Sequence, residues 1–280
     1  MWLLFAINAV LIFGYATFSL HSDWISAFPA FSAVYDSAFP FFTRLQILIG
    51  FWLCVRACQR AMGFRWILFL VAAFGISLTT AFLGTAYGIP FGKYSYTGLL
   101  GWRIAGMVPL LIPVGWFSMS VGSYVLALQL LGPASMQIFR RTTNHWYRSA
   151  QRVALASLLL LALGITLEPV MSTLVPCWIW EGSGAFFFPP AVRNLLAWMV
   201  TGVFIFVSFE FFRMRDGSHR FELSWAPKFY MLYFSMPLGL LIVGAVWLPV
   251  ALALAILLGC DLFARKKGAM KRGIFIRTRS

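Results

Sequence analysis

The chain has 280 residues, of which 61% are hydrophobic and 11% charged, and it carries a formal net charge of +14. That much apolar surface excludes a soluble globular domain, and several runs reach the ~18–20 residues needed to cross hydrocarbon. The runs do not alternate polar with apolar, which excludes a β-barrel; the expected fold is all-α, a polytopic membrane helix bundle.

The chain opens on Met1-Trp2-Leu3-Leu4-Phe5, with no basic region and no small-residue cleavage site. Residues 2–20 therefore read as a retained span rather than a signal peptide. A loop with His21, Asp23, Pro29, Asp36 and Pro40 follows, and then a second span over about 41–58 with Arg44 at its entrance. A short basic turn (Arg56, Arg60, Arg65) leads to a third span over about 66–86. Residues 84–105 form a Gly/Pro/Tyr-rich loop, and the fourth span, about 106–131, is expected to be a helix interrupted by Pro109 and Pro113. A basic loop with Arg140, Arg141, Arg148 and Arg152 precedes a fifth span over about 153–175, which holds Glu168-Pro169 near its far end. An aromatic loop, Cys177-Trp178-Ile179-Trp180-Glu181, with a turn at Gly182-Ser183-Gly184, leads to a sixth span over about 194–212.

The last apolar run, 229–263, would reach roughly 50 Å as one helix, beyond a hydrocarbon core of about 30 Å. Two spans hinged near Gly244 fit better. With eight spans and a cytoplasmic start, 18 of the 22 Lys and Arg residues fall in cytoplasmic segments, leaving only Arg44, Lys93, Arg103 and Arg193 outside. Seven spans would send the basic tail outside. The charge asymmetry thus predicts eight spans with both termini cytoplasmic: one transmembrane domain over 1–263 and a basic tail over 264–280. It also accounts for the positive charge without nucleic acid. Arg140-Arg141 and Lys266-Lys267 read as anchors against lipid headgroups. The 84–105 and 177–193 loops then share the outer face, with Asp36 on that side and Glu168 within a couple of helical turns of it.

Three histidines are too few for a membrane di-iron enzyme, and no Gly-rich loop follows a strand to bind flavin or nicotinamide. No Asp-rich pair of motifs is present to hold magnesium and a diphosphate. The four cysteines lack zinc spacing, and Cys54 and Cys58, one helical turn apart, read as small packing residues. No metal and no cofactor is expected; acid–base chemistry remains. Glu210 and Asp261 lie at span ends and read as interfacial residues, while Asp216 and Glu222 read as solvated. Glu168 differs. A carboxyl in an apolar helix costs several kcal/mol to ionise, so it is expected to be neutral and a proton donor; the bland alternative is a helix–helix hydrogen bond. Glu181 is a second candidate acid or water-orienting base, against a solvated residue in an aromatic belt. Tyr87, Tyr94 and Tyr96, with Pro90 and Phe91, are candidates to line a substrate channel, the alternative being an interfacial girdle. Trp116, Trp178 and Trp180, together with Trp102 and Trp198, offer π faces suited to a carbocation.

Two blocks carry a resemblance. Gly88-Ile89-Pro90-Phe91-Gly92-Lys93-Tyr94-Ser95-Tyr96-Thr97, then Leu100-Gly101 and Val108-Pro109-Leu110-Leu111-Ile112-Pro113-Val114-Gly115-Trp116, resembles the signature of the carotenoid hydratases, the γ-carotene 1′,2′-hydratase and bisanhydrobacterioruberin hydratase type. Leu167-Glu168-Pro169-Val170-Met171, Trp178-Ile179-Trp180-Glu181 and Asn194-Leu195-Leu196-Ala197-Trp198 with Thr201-Gly202 are similar as well. The resemblance covers about 80–205. It implies a multi-pass protein of a bacterial or archaeal cell membrane, with a carotenoid substrate, membrane lipid and other carotenoid enzymes as partners. The implied activity is addition of water to a terminal double bond of an acyclic carotenoid end, with Glu168 and Glu181 at the family's acidic positions. One departure matters: the family pattern carries a Glu shortly before Gly84, where this chain reads Thr79-Thr80-Ala81-Phe82-Leu83. If that Glu is the family's proton donor, this member is altered or inactive. A cyclase or isomerase using the same protonation, and a carotenoid or lipid carrier, are the rivals.

Overall fold

The computed structural model describes residues 1–21, 29–132, 145–181, 190–216 and 225–277. The expected turn at 182–184, the acids Asp23 and Glu222, and the pair Arg140-Arg141 lie outside them. Eight α-helices occur among the described residues: α1 (Trp2–Gly14, extended by a π-helical turn through Ser19), α2 (Pro29–Met62), α3 (Trp66–Tyr87), α4 (Leu111–Leu131), α5 (His145–Pro169, extended by a π-helical turn through Leu174), α6 (Pro190–Asp216), α7 (Ala226–Val243) and α8 (Trp247–Arg277). The expected all-α class holds. Seven helical segments are long and apolar enough to cross a membrane, the longest being Ser37–Tyr87.

That 51-residue segment would measure about 76 Å if straight. It is not straight. Gly63 takes a left-handed φ of 58° and residues Gly63–Arg65 form a short 3-10 turn. Gln46 and Ile47 of α2 and Ser77 and Ala81 of α3 line the same cavity, so the two legs run antiparallel. The last apolar run is likewise broken near Gly244, as expected: α7 ends there, Ala245 has a φ of 55°, and α8 starts at Trp247. α8 runs on through the basic segment to Arg277.

The fourth span corrects its predicted start. Residues 106–110 are not helical. Arg103–Ile104 (β2) pairs antiparallel with Val108–Pro109 (β3), and Ala105 and Gly106, both at positive φ, close the turn between them. Pro109 donates no N–H, so it sits at a strand end; Pro113 falls in the first turn of α4, where no N–H is needed. Neither proline interrupts the helix. α4 is the central helix, buried almost throughout, and α2, α3, α5 and α7 pack around it.

Close approaches between helices rest on glycine. A Cβ on Gly164 of α5 would lie 2.7 Å from the Trp198 indole on α6, so that ring lies flat on the α5 backbone. Trp198 in turn stacks on Trp116 of α4 at 4.6 Å and 33°. Gly164→Val is expected to push Trp198 off both neighbours and destabilise the protein by about 1–3 kcal/mol, measurable as a lowered midpoint of thermal unfolding in detergent. An unchanged midpoint would show that the ring has room to retreat.

Candidate active site

The two aromatic loops meet as predicted, in a form the hydropathy did not foretell. Tyr94–Tyr96 (β1) pairs antiparallel with Trp178–Trp180 (β4), in the register Tyr94 to Trp180, Ser95 to Ile179 and Tyr96 to Trp178. Side chains alternate across a strand, so Tyr94 and Tyr96 turn inward while Ser95 and Ile179 face out. Two further backbone bonds, Thr97 N–H to Cys177 O and Glu181 N–H to Lys93 O, both 2.9 Å, lengthen the ribbon. The four inward rings interlock edge to face: Tyr94 with Trp180 at 5.2 Å, Tyr96 with Trp178 at 6.4 Å, Tyr94 with Tyr96 at 5.2 Å.

Gly88 ends α3 in the left-handed conformation, with its N–H bonded to Gly84 O. A Cβ at Gly84 would meet the Tyr94 ring at 2.7 Å, so this glycine lets the ribbon seat on α3. Three arginines tie the loops down through backbone carbonyls. Arg44 Nε donates to Leu99 O (2.8 Å), Arg103 Nη2 to Tyr96 O (2.6 Å) and Arg193 Nη2 to Gly88 O (3.2 Å).

Beneath the ribbon is a cavity of about 850 Å³, its open mouth included. Its roof is Phe91, Tyr94, Tyr96 and Trp178; α4 gives Trp116 and Met119, α5 gives Leu167 and Met171, and α6 gives Asn194 and Trp198. α2 and α3 close the far side with Gln46, Ile47, Ser77 and Ala81, and Tyr233 and Met236 come from α7. The lining is mostly apolar with a few polar groups, as in sites for small organic ligands.

Glu168 is 5% exposed and stands directly behind this wall, flanked by the lining residues Leu167 and Met171. Trp180 Nε1 donates to its Oε1 at 2.8 Å, and Asn194 Nδ2 donates to its Oε2. The hydroxyls of Tyr94 and Tyr96 bond each other at 3.2 Å. Burial pushes the Tyr94 hydroxyl up to about 12 and Tyr96 well above the ordinary range, and the neighbouring Glu168 adds to both. Both tyrosines therefore stay protonated at any working pH.

The structure thus gathers Phe91, Tyr94, Tyr96, Trp116 and Trp178 at the cavity, with Trp180 holding Glu168 from behind. It does not bring in four other predicted residues. Tyr87 is 74% and Trp102 70% exposed, and Pro90 lies outside the lining. Glu181 lies away from the cavity: its side chain is 44% exposed and pairs with Lys93 Nζ at 3.2 Å on the open side of the ribbon. Strand alternation explains it, since the ribbon that turns Trp178 and Trp180 one way turns Glu181 the other. Exposed ion pairs contribute about 0–1 kcal/mol, so Glu181→Gln is expected to leave product yield in isolated membranes within about twofold of wild type. A larger loss would restore Glu181 as a participant. Gln46 and Ser77 were missed, because a lone polar residue in an apolar helix gives no periodic signal. Ala81 lines the cavity as well.

A helix bundle long and apolar enough to span a membrane, with a ribbon-roofed aromatic cavity and a carboxyl buried behind it, fits a multi-pass membrane protein. The chain belongs to the carotenoid biosynthesis protein family, whose model matches residues 41–260. It is 27% identical over 180 residues to a bisanhydrobacterioruberin hydratase of Haloarcula japonica. That match covers 64% of this chain and 54% of the relative, so the chain spans about half the length of the curated relative it matches. No solved structure matches the chain significantly.

Proposed function

We propose that this protein adds water to the terminal double bond of an acyclic carotenoid end, by acid catalysis and without a cofactor. The observation that carries the reading is the Glu168 carboxyl, buried behind an aromatic cavity and held on each oxygen by an N–H donor. The polyene lies among the helices, with its end group against Asn194 and the tyrosine pair. Glu168 is the source of the proton that reaches the less substituted alkene carbon, and the π pair becomes the new C–H bond. Trp180 and Asn194 are already aimed at the carboxylate that remains, so little reorganisation accompanies the transfer. The tertiary cation faces Trp116, Trp178, Trp198 and the roof tyrosines, whose π faces attract it. Water supplies the electron pair of the C–O bond, and the proton it then loses restores the acid.

In this reading, the Ser37–Tyr87 segment crosses twice and the chain crosses eight times. Both ends are cytoplasmic and the ribbon is at the outer face of a cell membrane, with membrane lipid around the bundle. The whole of 1–263 forms one transmembrane unit. Incubating membranes with lycopene or γ-carotene and analysing products by mass tests the function. A product heavier by one water supports hydration. A new product of unchanged mass points to a cyclase or isomerase. No new product, with pigment retained, points to a carotenoid-binding protein, the reading favoured by Ala81 in the lining and by the outward position of Glu181.

A further inference from the structure

The far side of the cavity holds a polar group that the proton-transfer chemistry does not use. Gln46 of α2 is 1% exposed and faces the cavity, and its Nε2 has no hydrogen-bond partner. Burying an amide N–H₂ without a partner is costly, and an apolar side chain there would serve packing better. Ser77 of α3 lines the same side; its hydroxyl proton goes to Ala73 O at 2.6 Å, so toward the cavity it offers an oxygen that accepts. A donor and an acceptor from adjacent helices form a half-built site for one small hydroxylic molecule. The acid enters from α5, behind Asn194 of α6, so proton source and water site belong to different helices.

We propose that Gln46 and Ser77 hold the water that captures the carbocation. This rests on the hydration reading above. Gln46 Nε2–H donates to the water oxygen, one water O–H donates to Ser77 Oγ, and the remaining lone pair of the water faces the cation. That pair forms the C–O bond; the oxonium then loses one proton to the Glu168 carboxylate, and the net change is addition of H₂O across the double bond. In the product, the same Nε2–H donates to the tertiary hydroxyl. Gln46 therefore decides what becomes of the cation, rather than whether it forms.

The test is Gln46→Met, an unbranched apolar side chain of similar size, assayed in membranes in D₂O with an acyclic carotenoid. Wild type is expected to yield deuterated hydrate. The variant is expected to lose about tenfold of hydrate while the unhydrated carotenoid it leaves still acquires deuterium, because protonation and its reversal continue. Its midpoint of thermal unfolding in detergent is expected to equal or exceed that of wild type. Hydrate within twofold of wild type would overturn the proposal, as would hydrate and deuterium label falling together or a variant that does not fold. A wild type that neither hydrates nor labels the substrate fails differently, and removes the hydration reading itself.

Discussion

Glu168→Gln is expected to cut hydrate formation by about a hundredfold or more while leaving the protein folded. General acid catalysis by a placed group contributes roughly 10²–10⁴-fold, and a carboxamide has no proton to give an alkene. The fold should survive, because Gln fills the same space and Asn194 can turn its carboxamide over to offer an acceptor to the new N–H₂. Trp180 would still donate to the remaining oxygen. The checks are hydrate per milligram of purified protein and the unfolding midpoint of the same preparation. Hydrate within threefold of wild type would show that the proton comes from elsewhere.

The second large effect falls on stability, at the other end of the bundle. Glu210, 3% exposed, is gripped by Arg152 through Nε and Nη2, each at 2.7 Å. It also accepts from Arg213 at 3.1 Å, Tyr124 at 2.5 Å and Ser149 at 3.0 Å. The group ties α4, α5 and α6 together below the cavity. Arg152→Met strips Glu210 of its bidentate partner and is expected to cost about 3 kcal/mol. Removing all three charges, as Arg152→Met with Glu210→Met and Arg213→Met, should recover part of that loss, because no orphaned buried ion remains. Unfolding midpoints of the single and triple variants in detergent decide it; additive losses would show that the ions do not act as a unit.

That cluster also marks the limit of reading by hydropathy. Glu210 and Arg152 fall at the ends of apolar runs, where the expectation is an interfacial acid and a loop cation. Asp261 lies on an open surface, paired with Arg265 at 2.6 Å. Glu210 does not, because its burial depends on three helices converging, which no local pattern records. The reversal near Gly244 was legible because length forces it: a run too long for the bilayer must break, and it breaks where the backbone permits. The convergence of the tyrosine and tryptophan loops was legible from charge, which places both on one face. Their pairing as strands was not, since a Tyr-Ser-Tyr and a Trp-Ile-Trp triplet are too short to show a period. The false start of the fourth span came from counting apolarity alone across Pro109, which cannot donate within a helix. Of the acids, Glu168 was singled out by its surroundings along the chain. Glu181's outward position was not legible, because strand alternation, not nearness to tryptophan, decides which way it faces.

The arginines at the ribbon have a consequence for biogenesis. In the proposed orientation, Arg44, Arg103 and Arg193 are the cations that the insertion machinery would least readily export, yet each ends on a main-chain oxygen of the loops. All three acceptors lie between Gly88 and Leu99, so Arg103 closes within its own loop, Arg44 waits for that loop to be delivered, and Arg193 arrives at an acceptor already in place. Of the three, only the Arg44 guanidinium must stay hydrated on the far side until a later hairpin reaches it, a standing penalty on transit.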